Sequence, residues 1–151
     1  SLSIVLADID HFKRINDAHG HHVGDRILIA VAEVLKGHAR ESDIVCRYGG
    51  EEFLLVLPGA SVDHARARAE EIRRACAAAG VQHEDQELSV TVSFGVAAYP
   101  DHGLADDEVI RRADKALYRA KRSGRNRLRR ETPSSSRNRP KKGNRIYDRG
   151  V

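Results

Sequence analysis

Two tight clusters of carboxylates carry the chemistry this sequence offers. Asp8 and Asp10 flank Ile9 at the end of an apolar run, and Glu51 and Glu52 directly follow a pair of glycines. On an extended strand, side chains two apart share a face, so Asp8 and Asp10 should emerge together. A carboxylate at the edge of a core is costly unless a cation or hydrogen-bond donors compensate it. Hard oxygen ligands of this kind suit Mg²⁺. The same alternation sends Glu51 and Glu52 to opposite faces, so at most one of them should face a given site. Taken singly, the clusters also read as a wet strand end and a solvated hairpin tip.

The elements that must position these acids follow from the surrounding pattern. Residues 2–9 are almost continuously apolar, as in a central strand covered on both faces. Ile44 and Val45 run up to Gly49-Gly50, and Phe53 to Leu57 run away from it, which predicts a β-hairpin whose glycines supply a positive-φ turn. Phe12 to Asp17 reads as a short helical turn and 19–25 as a loop. Val23, Ile27, Val31 and Leu35 mark an amphipathic helix over 23–38. Ser61 is an N-cap for a second helix that carries Ala65, Ala69, Ile72 and Cys76 and stops at Gly80. Residues 81–87 read as a loop and 88–98 as one long strand. Asp106, Asp107 and Glu108 open a third helix that stops at Gly124, and 126–128 forms a short last strand.

The order β-α-β-β-α-β-α-(β) is ferredoxin-like: α+β, with a mostly antiparallel sheet and helices packed on it. In that topology the first strand lies beside the hairpin, so Asp8 and Glu51 meet at one sheet end. Palm-type nucleotidyl transfer needs this arrangement, with carboxylates holding two Mg²⁺ (or Mn²⁺) ions.

The charge is divided along the chain. Residues 1–118 hold 13 basic and 20 acidic side chains, whereas 119–151 hold 13 basic and 2 acidic. The globular part is expected over 1–130, and 131–151 as a disordered basic tail with no specific nucleic-acid partner. The sequence contains no Met, so Ser1 reads as an unnatural start and the chain as part of a parent protein. Cys46 and Cys76 lack CxxC spacing and read as buried core thiols of a reduced, cytoplasmic protein. A membrane anchor elsewhere in the parent is compatible with this. The histidines at 19, 21 and 22 lack zinc-ligand spacing. Arg40 and Asp43, three apart in a connector, read by spacing as a local ion pair.

Six motifs in order now carry a resemblance. Asp8-Ile9-Asp10-His11-Phe12-Lys13, Asn16-Asp17, Gly20-His21-x-x-Gly24-Asp25, Arg47-Tyr48-Gly49-Gly50-Glu51-Glu52-Phe53, Val92-Ser93-Phe94-Gly95-Val96-Ala97, and Ala113-Asp114-Lys115-Ala116-Leu117-Tyr118 continuing to Gly124-Arg125-Asn126 resemble the GGDEF domain of diguanylate cyclases over residues 1 to about 128. The resemblance implies condensation of two GTP to cyclic di-GMP and two pyrophosphates by a homodimer, usually behind an N-terminal sensor domain. It implies metal ligation by Asp8, the Ile9 carbonyl and Glu51, and guanine reading by Asn16 and Asp25. Phosphate would be held by backbone at His11 and Phe12, with Lys13, Lys121 and Arg125. Gly49 and Gly50 would admit the nucleotide, and Glu52 would assist deprotonation of the 3′-hydroxyl. Arg40 and Asp43 fall where the family binds its product for inhibition. Two departures stand out. Glu71 aligns where the family often has a further arginine, with Arg66, Arg68 or Arg73 as the alternatives for that place, and the helix with an Asp-x-Leu-Thr-Gly-Leu motif that usually precedes strand one is not in this sequence. A sensing module without turnover, or a palm making another product, are the alternatives.

Overall fold

The computed structural model describes residues 1–132. The first strand, β1 (Leu2–Ile9), is buried from Ser3 onward. Helices α1 (Phe12–His19) and α2 (His21–Gly37) follow, then the hairpin β2 (Ile44–Arg47) and β3 (Glu52–Pro58) and helix α3 (Val62–Ala78). A small hairpin, β4 (Gly80–His83) and β5 (Gln86–Ser89), precedes β6 (Val92–Tyr99), α4 (Asp106–Arg122) and β7 (Leu128–Arg130). The main sheet has the order β2-β3-β1-β6-β7. Its pairs are antiparallel except the parallel β6–β7. This is the expected α+β, ferredoxin-like sheet with one added edge strand.

Alternation along β1 divides the core between two faces. Val5, Ala7 and Ile9 pack with α2 and α3 in the larger cluster. Ile4 and Leu6 pack with Val109, Ala113 and Leu117 of α4 in the smaller one. The approach of α4 is close at Gly95, where an added Cβ would lie 2.1 Å from the Ala113 carbonyl oxygen. Only a residue without a side chain lets the helix sit there. Cover on this second face fades toward the sheet edge. Along one cross-strand row Ala97 is 0 % exposed and Ile4 5 %, but Ile44 is 57 % exposed.

That gradient corrects one expectation. Cys46 pairs with Leu54 on the fading side of β2 and is exposed, whereas Cys76 on α3 is buried as expected. Other differences are local. The loop expected over 19–25 contracts to Gly20 (φ 84°), whose N–H caps α1 at the Asn16 carbonyl while its own carbonyl starts α2. His21 and His22 form an exposed first turn, outside the apolar period that marks the rest of the helix. The single strand expected over 88–98 is two, β5 and β6. The stretch read as a loop contains β4, whose Val81 faces Leu88 as the pair's one apolar contact. The last strand lies slightly later than expected, at Leu128–Arg130.

The fold also extends past the expected boundary. Glu131 is 3 % exposed, its N–H bonds the Val96 carbonyl, and its carboxylate pairs with Arg112 and Arg119. The remainder of the expected tail, from 133, lies outside the described residues.

Candidate active site

The register of β1 against β3 sets Asp8 directly across from Glu52, and the Ile9 N–H bonds the Glu51 carbonyl at 3.2 Å. Three carboxylates thus gather at one sheet end. The Asp8 side chain is 5 % exposed and meets Lys121 Nζ at 2.6 Å. Burial is the largest influence on it and pushes its carboxyl up to about 6. Lys121 opposes that shift through its hydrogen bond and charge, and the charges of Glu51 and then Glu52 add to it. Glu51 lies just before β3, outside the pleat, and both charges reach Asp8.

Gly49 and Gly50 do not supply the positive-φ turn expected of them. Neither has positive φ. A Cβ on Gly49 would lie 2.8 Å from Glu52 Oε2, so the glycine makes room for that carboxylate. Arg47, which the sequence reading did not single out, closes the turn. Its Nε donates to the Gly49 carbonyl and its Nη2 to the Gly50 carbonyl, at 3.1 and 2.6 Å.

Asp10 lies on the face of Asp8, as alternation expects, since Ser93, the cross-strand partner of Asp8, is one of its donors. The strand ends at Ile9, and Asp10 accepts hydrogen bonds from Thr91 Oγ1 (2.7 Å), Ser93 Oγ (2.8 Å) and the Asn126 N–H (2.9 Å). Its charge is satisfied within the protein. His11 then turns the chain through a left-handed conformation (φ 58°) into α1, which begins with no side-chain cap and no acid in its first turn. With no side-chain cap among the described residues, the N–H groups at Phe12 and Lys13 form an N-terminus suited to an anion. Lys13 is exposed there.

Asn16, on α1, has the buried side-chain oxygen that lacks a hydrogen-bond partner among the described residues. It lies under α2 where Gly24 lacks a side chain, since a Cβ there would be 1.9 Å from Asn16 Oδ1. The next residue, Asp25, is exposed. A buried amide oxygen without a partner is costly, and Asp25 follows the glycine it lies against. Together they match a heterocycle that carries both donors and acceptors. At the other side, Lys121 closes α4, and Arg125 follows in a left-handed conformation (φ 58°), exposed.

The connector pair is not the local ion pair that its spacing suggested. The Arg40 N–H donates to Asp43 Oδ2 at 2.7 Å, while the Arg68 guanidinium of α3 holds that carboxylate. The Arg40 side chain is exposed. Glu71 is exposed on α3, and Arg73 turns away to Glu70 and Asn126.

The donor set suits a divalent ion. Asp8, the Ile9 carbonyl and Glu51 offer hard oxygens, and an ammonium already lies on Asp8. Among the described residues no three His, Cys, Asp or Glu side chains form a group able to hold a metal by themselves.

A ferredoxin-like sheet with acids at the exit of its first strand, a free helix N-terminus beside them and a cation-rich helix end is the frame of a palm-type nucleotide domain. The family model for the GGDEF domain, diguanylate cyclase, matches residues 1–127, and the chain belongs to that family. Diguanylate cyclase A of Treponema denticola is 42 % identical over 128 residues, 85 % of this chain and 34 % of that protein. Among solved structures, the GGDEF domain of DgcB from Caulobacter crescentus in complex with c-di-GMP superposes with a TM-score of 0.80 at 36 % identity, covering 85 % of this chain and 77 % of that one. The active GGEEF domain of a diguanylate cyclase from Vibrio cholerae gives 0.75 at 39 %, covering 88 % and 84 %. The chain spans about a third of the length of the Treponema relative.

Proposed function

We propose that this domain binds GTP and that two copies, each holding one GTP, condense them into cyclic di-GMP with release of two pyrophosphates. The observation that carries the reading is the convergence of Asp8, Glu51, Glu52 and Lys121 at the exit of β1, in a chain of this family.

Asp8, the Ile9 carbonyl and Glu51 would hold Mg²⁺ or Mn²⁺, two ions per site in this reading. When bound, the metal makes the 3′-hydroxyl a better nucleophile and offsets charge on the transferred phosphate. The chain's own residues do the rest. The Asn16 amide and Asp25 accept and donate along the guanine edge. The free N–H groups at the start of α1, with Lys13, Lys121 and Arg125, hold the phosphates. Lys121 exchanges Asp8 for phosphate oxygen as the nucleotide enters. Gly49 and Gly50 keep the hairpin tip open to the ligand, and Glu52, folded over Gly49, assists removal of the 3′-proton. The 3′-oxygen of each GTP attacks the α-phosphorus of the other, and the bond to the β-phosphate oxygen breaks in line. One chain carries one such set, which is why the reaction calls for two chains facing each other.

Arg40 and Asp43 are proposed as a product-inhibition site. Arg68 supplies the third charged group there, in place of the cation missing at Glu71. A sensor domain ahead of this one in a parent protein, and a cytoplasmic location beside the GTP pool, complete the proposal.

The test is incubation with GTP and Mg²⁺ followed by product identification by mass, with a Glu51→Gln control that keeps shape and removes charge. Cyclic di-GMP from the wild type and none from a folded Glu51→Gln variant supports the reading. Binding of GTP without turnover would favour a sensing module, and a different product would make this another kind of palm.

A further inference from the structure

The segment joining α4 to β7 contains two consecutive non-glycine residues in the left-handed region, Arg125 (φ 58°) and Asn126 (φ 42°). Residues with a side chain adopt it only at a cost in free energy, so neighbours must impose it. Here the neighbours take all four backbone polar groups of the pair. The Arg125 N–H bonds the Ala120 carbonyl at 3.2 Å, and its carbonyl accepts from Arg127 Nε at 3.0 Å. The Asn126 N–H goes to Asp10 at 2.9 Å, and its carbonyl accepts from Arg73 Nη1 at 3.4 Å.

Two of these partners come from distant parts of the chain and are themselves held in place. Arg73 Nη1 also meets Asn126 Oδ1 at 2.6 Å, while its Nε and Nη2 are gripped by the Glu70 carboxylate at 2.9 and 2.8 Å. Asp10 is fixed by Thr91 and Ser93. A buried carboxylate on one side and a forked guanidinium on the other thus close on the same residue. A planar fork with one edge spent on Glu70 leaves a donor in a set direction. That direction is Asn126, next to the exposed Arg125.

We propose that Arg73 and Asp10 are positioning residues for GTP binding: they clamp Asn126, and so fix the backbone from which Arg125 reaches the nucleotide phosphates beside Lys121. The inference rests on the phosphate role given to Arg125 above. A long arginine side chain loses freedom when it binds, and fixing its root beforehand reduces that loss. Neither Arg73 nor Asp10 touches the nucleotide in this scheme; both act through Arg125.

The experiment is a double-mutant cycle read by calorimetric binding of 3′-deoxy-GTP with Mg²⁺, a nucleotide that lacks the attacking hydroxyl. Arg125→Ala should weaken binding about tenfold, as loss of a charged hydrogen bond does, and Arg73→Ala by a comparable factor. In the Arg125→Ala background, Arg73→Ala should change affinity by less than about twofold, because its effect passes through the missing guanidinium. If the two losses multiply in the double variant, or if Arg73→Ala binds as wild type does while Arg125→Ala is weakened, the inference is overturned. If Arg125→Ala itself binds normally, the phosphate reading fails and this inference falls with it, by a result distinct from the other two.

Circular dichroism melts check that each variant folds. Should Arg73→Ala not fold, Asn126 carries the test. Asn126→Asp keeps the acceptor and tolerates the left-handed region, and should bind as wild type. Asn126→Leu should lose the factor expected of Arg73→Ala. Equal affinity of these two variants would refute the clamp.

Discussion

The Lys121 ammonium lies 2.6 Å from the Asp8 carboxylate, so the acid proposed to hold a metal already carries a cation of the protein's own. Two ligands then compete for opposite members of one pair, a metal ion for Asp8 and a phosphate for Lys121. Lys121→Ala should therefore move two affinities in opposite directions. Mn²⁺ binding to the nucleotide-free protein, followed by electron paramagnetic resonance, should tighten severalfold, and GTP binding should weaken about tenfold. A variant in which both affinities fall would show that Lys121 supports the site's shape rather than its charge balance.

At the other end of β2, the Asp43 carboxylate is only 2 % exposed and belongs to Arg68. A product that binds there must share or displace that guanidinium, so inhibition should be present but modest. Arg40→Ala should leave the initial rate nearly unchanged and relieve the slowing seen when cyclic di-GMP is added to a progress curve. Identical slowing in both proteins would leave Arg40 as a connector residue.

Glu70 gives the molecule an acid-sensitive joint. The Arg73 hydrogen bond, aided by Arg74, holds its carboxyl down at about 2 against an ordinary 4.5. A lowered folded-state value means stability that is present above the unfolded value and is lost as pH falls through the folded one. The contribution should fade between pH 4.5 and about 2. The Glu70 side chain is 33 % exposed, so solvent screening keeps the effect to about 1 kcal/mol. Chemical denaturation of wild type and Glu70→Gln should differ at neutral pH and converge toward pH 2. A gap that stays constant across the range would contradict this.

The two thiols should report separately. Burial pushes the Cys76 thiol up to about 12, while Cys46 is exposed. A colorimetric thiol reagent at neutral pH should titrate one group promptly and the second only on unfolding. Prompt reaction of both would mean that α3 opens readily.

Much of this was legible in the sequence because it rests on periodicity. The apolar run of β1, the four-residue spacing in α2 and the acid-to-base gradient of α4 each report a buried face or a helix dipole directly. The same local patterns brought Asp8 and the hairpin acids to one sheet end. What was not legible depends on neighbours far away in the chain. Cys46 looked like core because its strand is apolar, but α4 covers only the β1 and β6 side of that face. Alternation gave the face of Asp10 but not its use, because its donors, Thr91, Ser93 and Asn126, lie about eighty or more residues further on. The small β4–β5 hairpin has one apolar pair, too few to register against a polar background. Arg47 stood in a motif without a role of its own, and nothing local tied Arg68 to Asp43 or Arg73 to Asn126.

Gly95 has a mechanical consequence. Because α4 rests there on the main chain of β6, with no side chain between them, the helix is carried by the sheet as a beam on a bearing. Lys121 stands one turn beyond Leu117, whose backbone nitrogen would lie 2.3 Å from an added Cβ. The height of the helix backbone that carries Lys121 is thus set by two main chains in contact. A methyl group at position 95 would act as a shim under the beam, lifting Lys121 off Asp8 while most of the core beneath α2 and α3 stayed assembled. Loss of ligand alignment would then precede loss of fold.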